Sequence, residues 1–261
     1  MSVLTYLRNL GSALTLSNVE RASIVTSIDT LQRRLNAFDT NNDVKTHYKF
    51  GSYDRGTILP RQYDSHSDVD YMVVFKDPFA AQPQSRLNWI KRFAEAKYSS
   101  SEIHQDYPTI VLELNHIRFE LVPAVEMGSS INLQIPAPHS VMLNWIYTNP
   151  DQYLQATQQA NARYNFEFKP LVRILKLWNV RNGRPYSSCA LEYHLAITWM
   201  FGNNLEDYFY SAVSNLPVYG MSDRDKARVR TFKEQVALAK SYHDAKFEQM
   251  SEKIISEFLP L

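Results

Sequence analysis

Cysteine is almost missing from these 261 residues. Cys189 stands alone, so neither an intrachain disulfide nor a cysteine metal cluster can form. A reducing, cytoplasmic setting is the expectation, with Cys189 as a small buried helix residue. No apolar run reaches eighteen residues, which leaves no transmembrane helix to read. The opening Met-Ser-Val-Leu-Thr-Tyr-Leu-Arg lacks the charged-then-apolar order of a secretion signal. Neither sign of charge dominates: 28 Lys plus Arg face 27 Asp plus Glu. That balance argues against a long nucleic-acid groove. It still allows a small anion site, because a triphosphate needs only a few placed donors. The seven histidines show no His-x₃-His or Cys/His spacing, so structural zinc is not expected. Internal repeats and low-complexity tracts are absent too.

What is present is an ordinary globular composition, 44% hydrophobic and 21% charged, enough for one large domain or two lobes. The first long helix is predicted over 17–38. Ser17 and Glu20 form a capping box, and Val25, Ile28, Leu31 or Leu35, and Phe38 supply the apolar face. Strands are predicted at 46–50, 69–75, 109–114 and 117–122, the last stopped by Pro123. A helix over 84–97 separates the second and third of these, with Leu87, Ile90, Phe93 and Ala94 on its apolar side. After Pro136 the strand signals fade. Helices are then expected at 153–164, 168–180, 188–200, 224–240 and 242–258. The fold class is therefore α+β and bilobal: a mixed-sheet core over 1–135, then a helical lobe over 136–261.

The most informative stretch is Ser67-Asp68-Val69-Asp70-Tyr71. Strand side chains alternate, so Asp68 and Asp70 share a face while Val69 and Tyr71 take the other. Two carboxylates that close repel each other unless a hard cation such as Mg²⁺ lies between them. Upstream, Gly51 can adopt backbone angles closed to other residues, and Ser52 adds a hydroxyl. Free backbone N–H groups there would hold phosphate oxygens. Alone, Gly-Ser carries little weight; beside the acid pair it suggests phosphate plus metal. A third acid must come from another strand. Glu120 shares a face with Arg118, opposite Ile117, Phe119 and Leu121, and Glu113 is its competitor.

These motifs, Gly51-Ser52-Tyr53-Asp54-Arg55-Gly56-Thr57, Ser67-Asp68-Val69-Asp70 and Glu120-Leu121-Val122-Pro123-Ala124, resemble the polymerase-β-type nucleotidyltransferase superfamily. Ile135-Pro136, Trp145, Thr148-Asn149-Pro150, the run Arg173 to Asn179, and Ser187-Ser188-Cys189-Ala190-Leu191-Glu192 extend the likeness. Over roughly 17–200 the ordered set is similar to the bacterial cGAS/DncV-like nucleotidyltransferases, the CD-NTases of antiphage signalling. The resemblance implies a polymerase-β-like core and a helical lobe with nucleotides between them. It also implies synthesis of cyclic or short linear oligonucleotide messengers from nucleoside triphosphates, releasing pyrophosphate, with a separate effector protein sensing the product.

It further implies two Mg²⁺ ions, or Mn²⁺, on Asp68, Asp70 and Glu120, the three catalytic acids. Asp70 would bridge the ions, and Glu120 would be the acceptor of a hydroxyl proton. Gly51, Ser52, Lys176 and Ser188 become the nucleotide and phosphate contacts, with Arg55, Arg173, Tyr186 and Ser187 as further candidates. Lys49 and Arg55 flank the Gly-Ser turn in segments expected to be exposed. Arg173 is a candidate partner for Glu167 or Asp151, and Tyr186 for either base stacking or core packing. Two departures stand out. Position 120 carries Glu where the family usually has Asp, and the chain is short for a signalling enzyme. They keep two other functions in view: transfer of a nucleotide to tRNA or protein, as a toxin would do it, and a catalytically weak regulatory nucleotide binder.

Overall fold

The computed structural model describes residues 1–76, 82–126, 133–137 and 144–260. It contains α1 (Val3–Ala13), α2 (Asn18–Phe38), β1 (Val44–Phe50), α3 (Gly51–Arg55), β2 (Asp68–Phe75) and α4 (Pro83–Lys97). There follow β3 (Glu102–Asp106), β4 (Thr109–Glu113), β5 (Arg118–Glu126), β6 (Leu133–Pro136), β7 (Trp145–Thr148) and α5 (Pro150–Arg163). The remainder is α6 (Phe168–Arg181), α7 (Ser188–Ile197), α8 (Leu205–Ser214), α9 (Asp223–Asp244) and α10 (Glu248–Phe258).

Two compact units divide the chain. A sheet unit comprises Leu16–Arg61 and His66–Leu154; a helical unit comprises Met1–Thr15, Gln62–Ser65 and Gln155–Leu261. The boundary therefore falls at 154/155, within α5, and not at 135. The reason is that β6 and β7 continue the sheet after 132: β6 pairs with β5, and β7 pairs with β6. Strands of four residues such as these carry too little periodic signal to be read beforehand.

In the sheet unit the strand order is β1-β2-β5-β4-β3, with β2 and β5 parallel and the other pairs antiparallel. One face of β2, Val69, Tyr71, Val73 and Phe75, is buried under α2 and α4. There it meets Ile24, Ile28, Leu31 and Leu35 from α2, and Leu87, Ile90 and Phe93 from α4. The α2 stripe begins at Ile24 rather than Val25, which is 44% exposed. Spacings of four, three and four keep 24, 28, 31 and 35 on one side of the helix. The Ser17–Glu20 capping box is formed as expected, with both reciprocal hydrogen bonds.

Pro123 does not stop β5. It pairs in register with Val73, and the strand runs on to Glu126. Proline removes one ladder donor. On the other edge of β5, the partners from β4 end at Leu121 and those from β6 begin at Val125, so no ladder partner on that side is left short.

In the helical unit, α1 lies before the first helix expected from the sequence. Ser2 caps it, and Val3, Tyr6, Leu7 and Leu10 bury one face. It packs against α6, α8 and α10. Helix α8 was also not expected. The Asn204 side chain accepts from the backbone N–H groups of Glu206 and Asp207, starting that helix. Among the described residues, no helix is long and apolar enough to cross a membrane.

Candidate active site

The alternation that buries Val69 and Tyr71 turns Asp68 and Asp70 to the opposite face of β2. Farther along that face come Met72 and Val74, packed with Val122, Ala124 and Leu133. The face is thus polar at one end and apolar at the other, so the acids sit where the strand begins. The parallel register sets Asp68 across from Arg118, and Asp70 across from Glu120. Glu113 pairs with Arg118 from β4, one strand farther out. Glu120 is thus the acid directly across from Asp70, while Glu113 lies one strand farther from β2.

The turn that feeds this corner is α3, a single short helix bracketed by glycines. Phe50 is extended, Gly51 has φ +72°, and Gly56 closes the helix at φ +73°. A Cβ on Gly51 would lie 1.7 Å from Oδ2 of Asp70 and 2.5 Å from its Cγ. Gly51 is therefore required twice, for its backbone and for the carboxylate packed against its Cα. The Ser52 carbonyl accepts from the N–H groups of Thr57, at 2.9 Å, and Ile58, at 3.1 Å, which ties the turn to the loop behind it. No side chain of Phe50 caps α3.

The charge of the corner is negative on balance. Burial, and then the negative charge of Asp68, push the Glu120 carboxyl up to about 7, against the pull of Arg118. Nη2 of Arg118 is 2.9 Å from Oε1 of Glu120. Arg61 lies 3.8 Å from Glu113. A carboxylate raised by burial and a neighbouring acid is one that a cation would stabilise. The all-oxygen donor set of Asp68, Asp70 and Glu120 suits a hard divalent ion. The residues therefore fit Mg²⁺ or Mn²⁺.

The flanking cations have separate fates. Lys49 is exposed and pairs with Asp54. Arg55 is buried, contrary to the exposure expected of its segment, because it lies on the inner side of α3.

The remaining candidates belong to the helical unit. Lys176 is buried on α6, with Nζ 3.0 Å from Oε1 of Glu192 on α7. Ser187 is the N-cap of α7, and its hydroxyl accepts from Ala190 N–H. Ser188 follows it, half-buried. Cys189 is exposed, not buried, since the first turn of α7 presents that side to solvent. Arg173 is buried and donates to the Gly11 carbonyl at 3.4 Å, while Glu167 pairs with Arg8. Tyr186 is buried, and its hydroxyl donates to the Pro217 carbonyl at 2.7 Å, the core-packing alternative. Burial raises the pKa of that phenol.

One cluster had no signal in the sequence. Nδ1 of His243, at the end of α9, is 2.9 Å from Oε1 of Glu206 and 3.1 Å from Oε1 of Glu248. The three residues sit on three different helices, so no spacing announces them. Their separations are those of an imidazole hydrogen-bonded between carboxylates.

Known proteins resemble this chain in sequence and in fold. The Second Messenger Oligonucleotide or Dinucleotide Synthetase domain matches residues 1–161. A cyclic AMP-AMP-AMP synthase from an Acinetobacter strain is 26% identical over 159 residues, covering 59% of this chain and 45% of that protein. The chain thus aligns with less than half the length of that relative. The structure of CdnC from E. coli MS115-1 with ATP superimposes with a TM-score of 0.77 at 12% identity, covering 99% of this chain and 97% of the other. The Bradyrhizobium diazoefficiens CD-NTase CdnG with GTP gives 0.73 at 11% identity, covering 98% of each. Vibrio cholerae DncV, a cyclic AMP-GMP synthase, gives 0.62 at 12% identity, covering 82% of this chain and 68% of the other. At such identities the likeness is one of fold, that of a polymerase-β-like core with a helical lobe. With the domain match spanning more than half of the sequence, the chain belongs to the Second Messenger Oligonucleotide or Dinucleotide Synthetase family, the CD-NTases.

Proposed function

We propose that this protein is a metal-dependent nucleotidyltransferase that joins nucleoside triphosphates into cyclic or short linear oligonucleotides and releases pyrophosphate. The observation that carries the reading is the corner of the sheet unit. Asp70 packs against the Cα of Gly51 and lies in register with Glu120. A phosphate-binding turn and a carboxylate set are thereby built onto one another.

In the reaction, a ribose hydroxyl oxygen forms a bond to the α-phosphorus of a triphosphate. The bond to pyrophosphate breaks, and the hydroxyl proton must leave. The Glu120 carboxylate, in register with Asp70, is the candidate to accept that proton. The backbone around Gly51 and Ser52 would orient the triphosphate. Asp68, Asp70 and Glu120 would hold Mg²⁺, which when bound supplies charge neutralisation for the triphosphate. The Acinetobacter relative's name makes ATP the first nucleotide to try. A cytoplasmic role in antiphage signalling, with the product read by an effector protein, follows from the same reading.

The test is incubation of pure protein with each α-labelled triphosphate and Mg²⁺ or Mn²⁺, with products separated by size. A small phosphatase-resistant product that Asp70→Asn abolishes is expected. Label appearing on added tRNA or protein instead would make the chain a macromolecule-modifying transferase. Nucleotide binding that survives Asp70→Asn with no transfer to any acceptor would favour the regulatory reading.

A further inference from the structure

Glu120, on the sheet face, is held by a cation of the chain itself. Arg118 lies two residues before Glu120 on β5, so both side chains leave the same face. Its Nη2 is 2.9 Å from Oε1 of Glu120 and 3.5 Å from Oδ2 of Asp106, and its Nε is 3.8 Å from Oε1 of Glu113. The side chain is only 14% exposed. A guanidinium so enclosed is tolerable only where carboxylates meet it, and its planar fork fixes the direction of the carboxylate it binds.

Glu120 needs such direction. Glutamate has one more rotatable bond than aspartate, and each added torsion multiplies the positions its oxygens can take. A metal ligand must hold its oxygen to within a few tenths of an ångström. Glu120 carries no hydrogen-bond partner on its own strand other than Arg118 among those that set its electrostatics.

We propose that Arg118 is a positioning residue: it grips Glu120 by Oε1 and so presents the other carboxylate oxygen to the Asp68/Asp70 side. The inference rests on the reading of that side as the metal and triphosphate site. Arg118 touches neither substrate nor metal in this scheme; it acts through Glu120.

Mn²⁺ binding, followed by electron paramagnetic resonance with a non-hydrolysable ATP analogue present, tests this. Arg118→Met should weaken Mn²⁺ binding about 10-fold, in the range seen when a ligand's hydrogen-bond partner is lost. Turnover should fall with it, while KM for the triphosphate stays within about twofold. Arg118→Lys, which keeps the charge without the fork, should recover part of the affinity and guards against a folding failure of the methionine variant. In a Glu120→Gln background, Arg118→Met should have no further effect, because its target is gone. Wild-type affinity in Arg118→Met, or an undiminished loss in the double variant, overturns the proposal. Asp70→Asn separates the two levels. If it loses Mn²⁺ while Arg118→Met keeps it, only the role of Arg118 fails; if Asp70→Asn also binds normally, the metal reading itself fails.

Discussion

At the scale of the residue, Glu120 gathers the most consequences. Strand alternation put it on the face of Asp68 and Asp70, provided that the two strands were neighbours, and the parallel pairing of β2 with β5 meets that condition. What sequence could not supply was its electrostatics, which come from burial and from acids distant in the chain. The carboxyl is pushed up to about 7 from an ordinary 4.5, by burial first and Asp68 next. A group raised in the folded state favours folding below its unfolded pKa, and that contribution is lost as pH rises through the folded value. Metal-free Glu120→Gln protein should therefore melt higher than wild type at pH 8, and the two should converge near pH 4.5. Thermal melts in chelator at both pH values check this; equal differences at the two would refute it. Metal must displace the same proton, so wild-type Mn²⁺ affinity should fall as pH drops below about 7, by up to about tenfold per unit. Glu120→Gln should flatten that dependence and lower turnover at least ~100-fold. Glu120→Asp should also lose activity, since its carboxylate withdraws from the space the backbone has left for Glu.

At the scale of the element, the short turn α3 shows how a weak motif becomes a strong one. Gly-Ser in a sequence means little. Here the φ of +72° at Gly51 and the Asp70 carboxylate against its Cα make one piece of structure. Gly51→Ala would push a Cβ into Asp70 and force an L-residue into a left-handed conformation, a strain of about 1–2 kcal/mol before any clash. We expect it to displace Asp70 and lower turnover by at least about 100-fold, with metal affinity falling in parallel. Gly56→Ala at the other end of α3 shares the left-handed backbone and serves as the control. It should cost about 1 kcal/mol of stability and leave turnover within about threefold. Equal effects on turnover at the two positions would show that the turn, and not the Gly51–Asp70 contact, matters. Elements whose pattern is periodic and long were legible: α2, α4 and β2 match their expected spans closely, whereas β5 runs four residues past its expected end at 122. Those that failed had weak or absent patterns. Edge strand β3, Glu-Ile-His-Gln-Asp, is mostly exposed and has no apolar alternation. The cap Asn204 and the apolar residues Tyr208, Phe209, Ala212 and Val213 were a usable signal for α8, lying in a stretch otherwise rich in turn residues.

At the scale of the whole molecule, the division into a sheet core and a helical part was legible, because apolar periodicity changes along the chain. Which segments join which unit was not. That depends on pairing between residues far apart in sequence, and a linear reading assigns each stretch to its neighbours. The N-terminal helix is the clearest case. Val3, Tyr6, Leu7, Leu10 and Leu14 carry helical spacing, yet nothing in that spacing says that they pack more than 150 residues away. In the structure the Tyr6 hydroxyl donates to the Leu259 carbonyl at 2.5 Å. Gly11 sits so near α6 that a Cβ there would lie 3.1 Å from Cβ of Pro170. Leu7 is fully buried. Leu7→Ala should therefore cost about 2–5 kcal/mol, the usual range for a buried leucine whose cavity cannot close. The loss should appear in the elements that α1 contacts. Hydrogen exchange should show reduced protection of backbone amides in α6, α8 and α10, and not in α1 alone. If only α1 frays, it is a surface addition, and the helical unit holds together without it. If protection falls across those three helices, residues 1–15 are part of that unit's core, and an N-terminal truncation would remove a structural element of the part that carries Lys176 and Ser188.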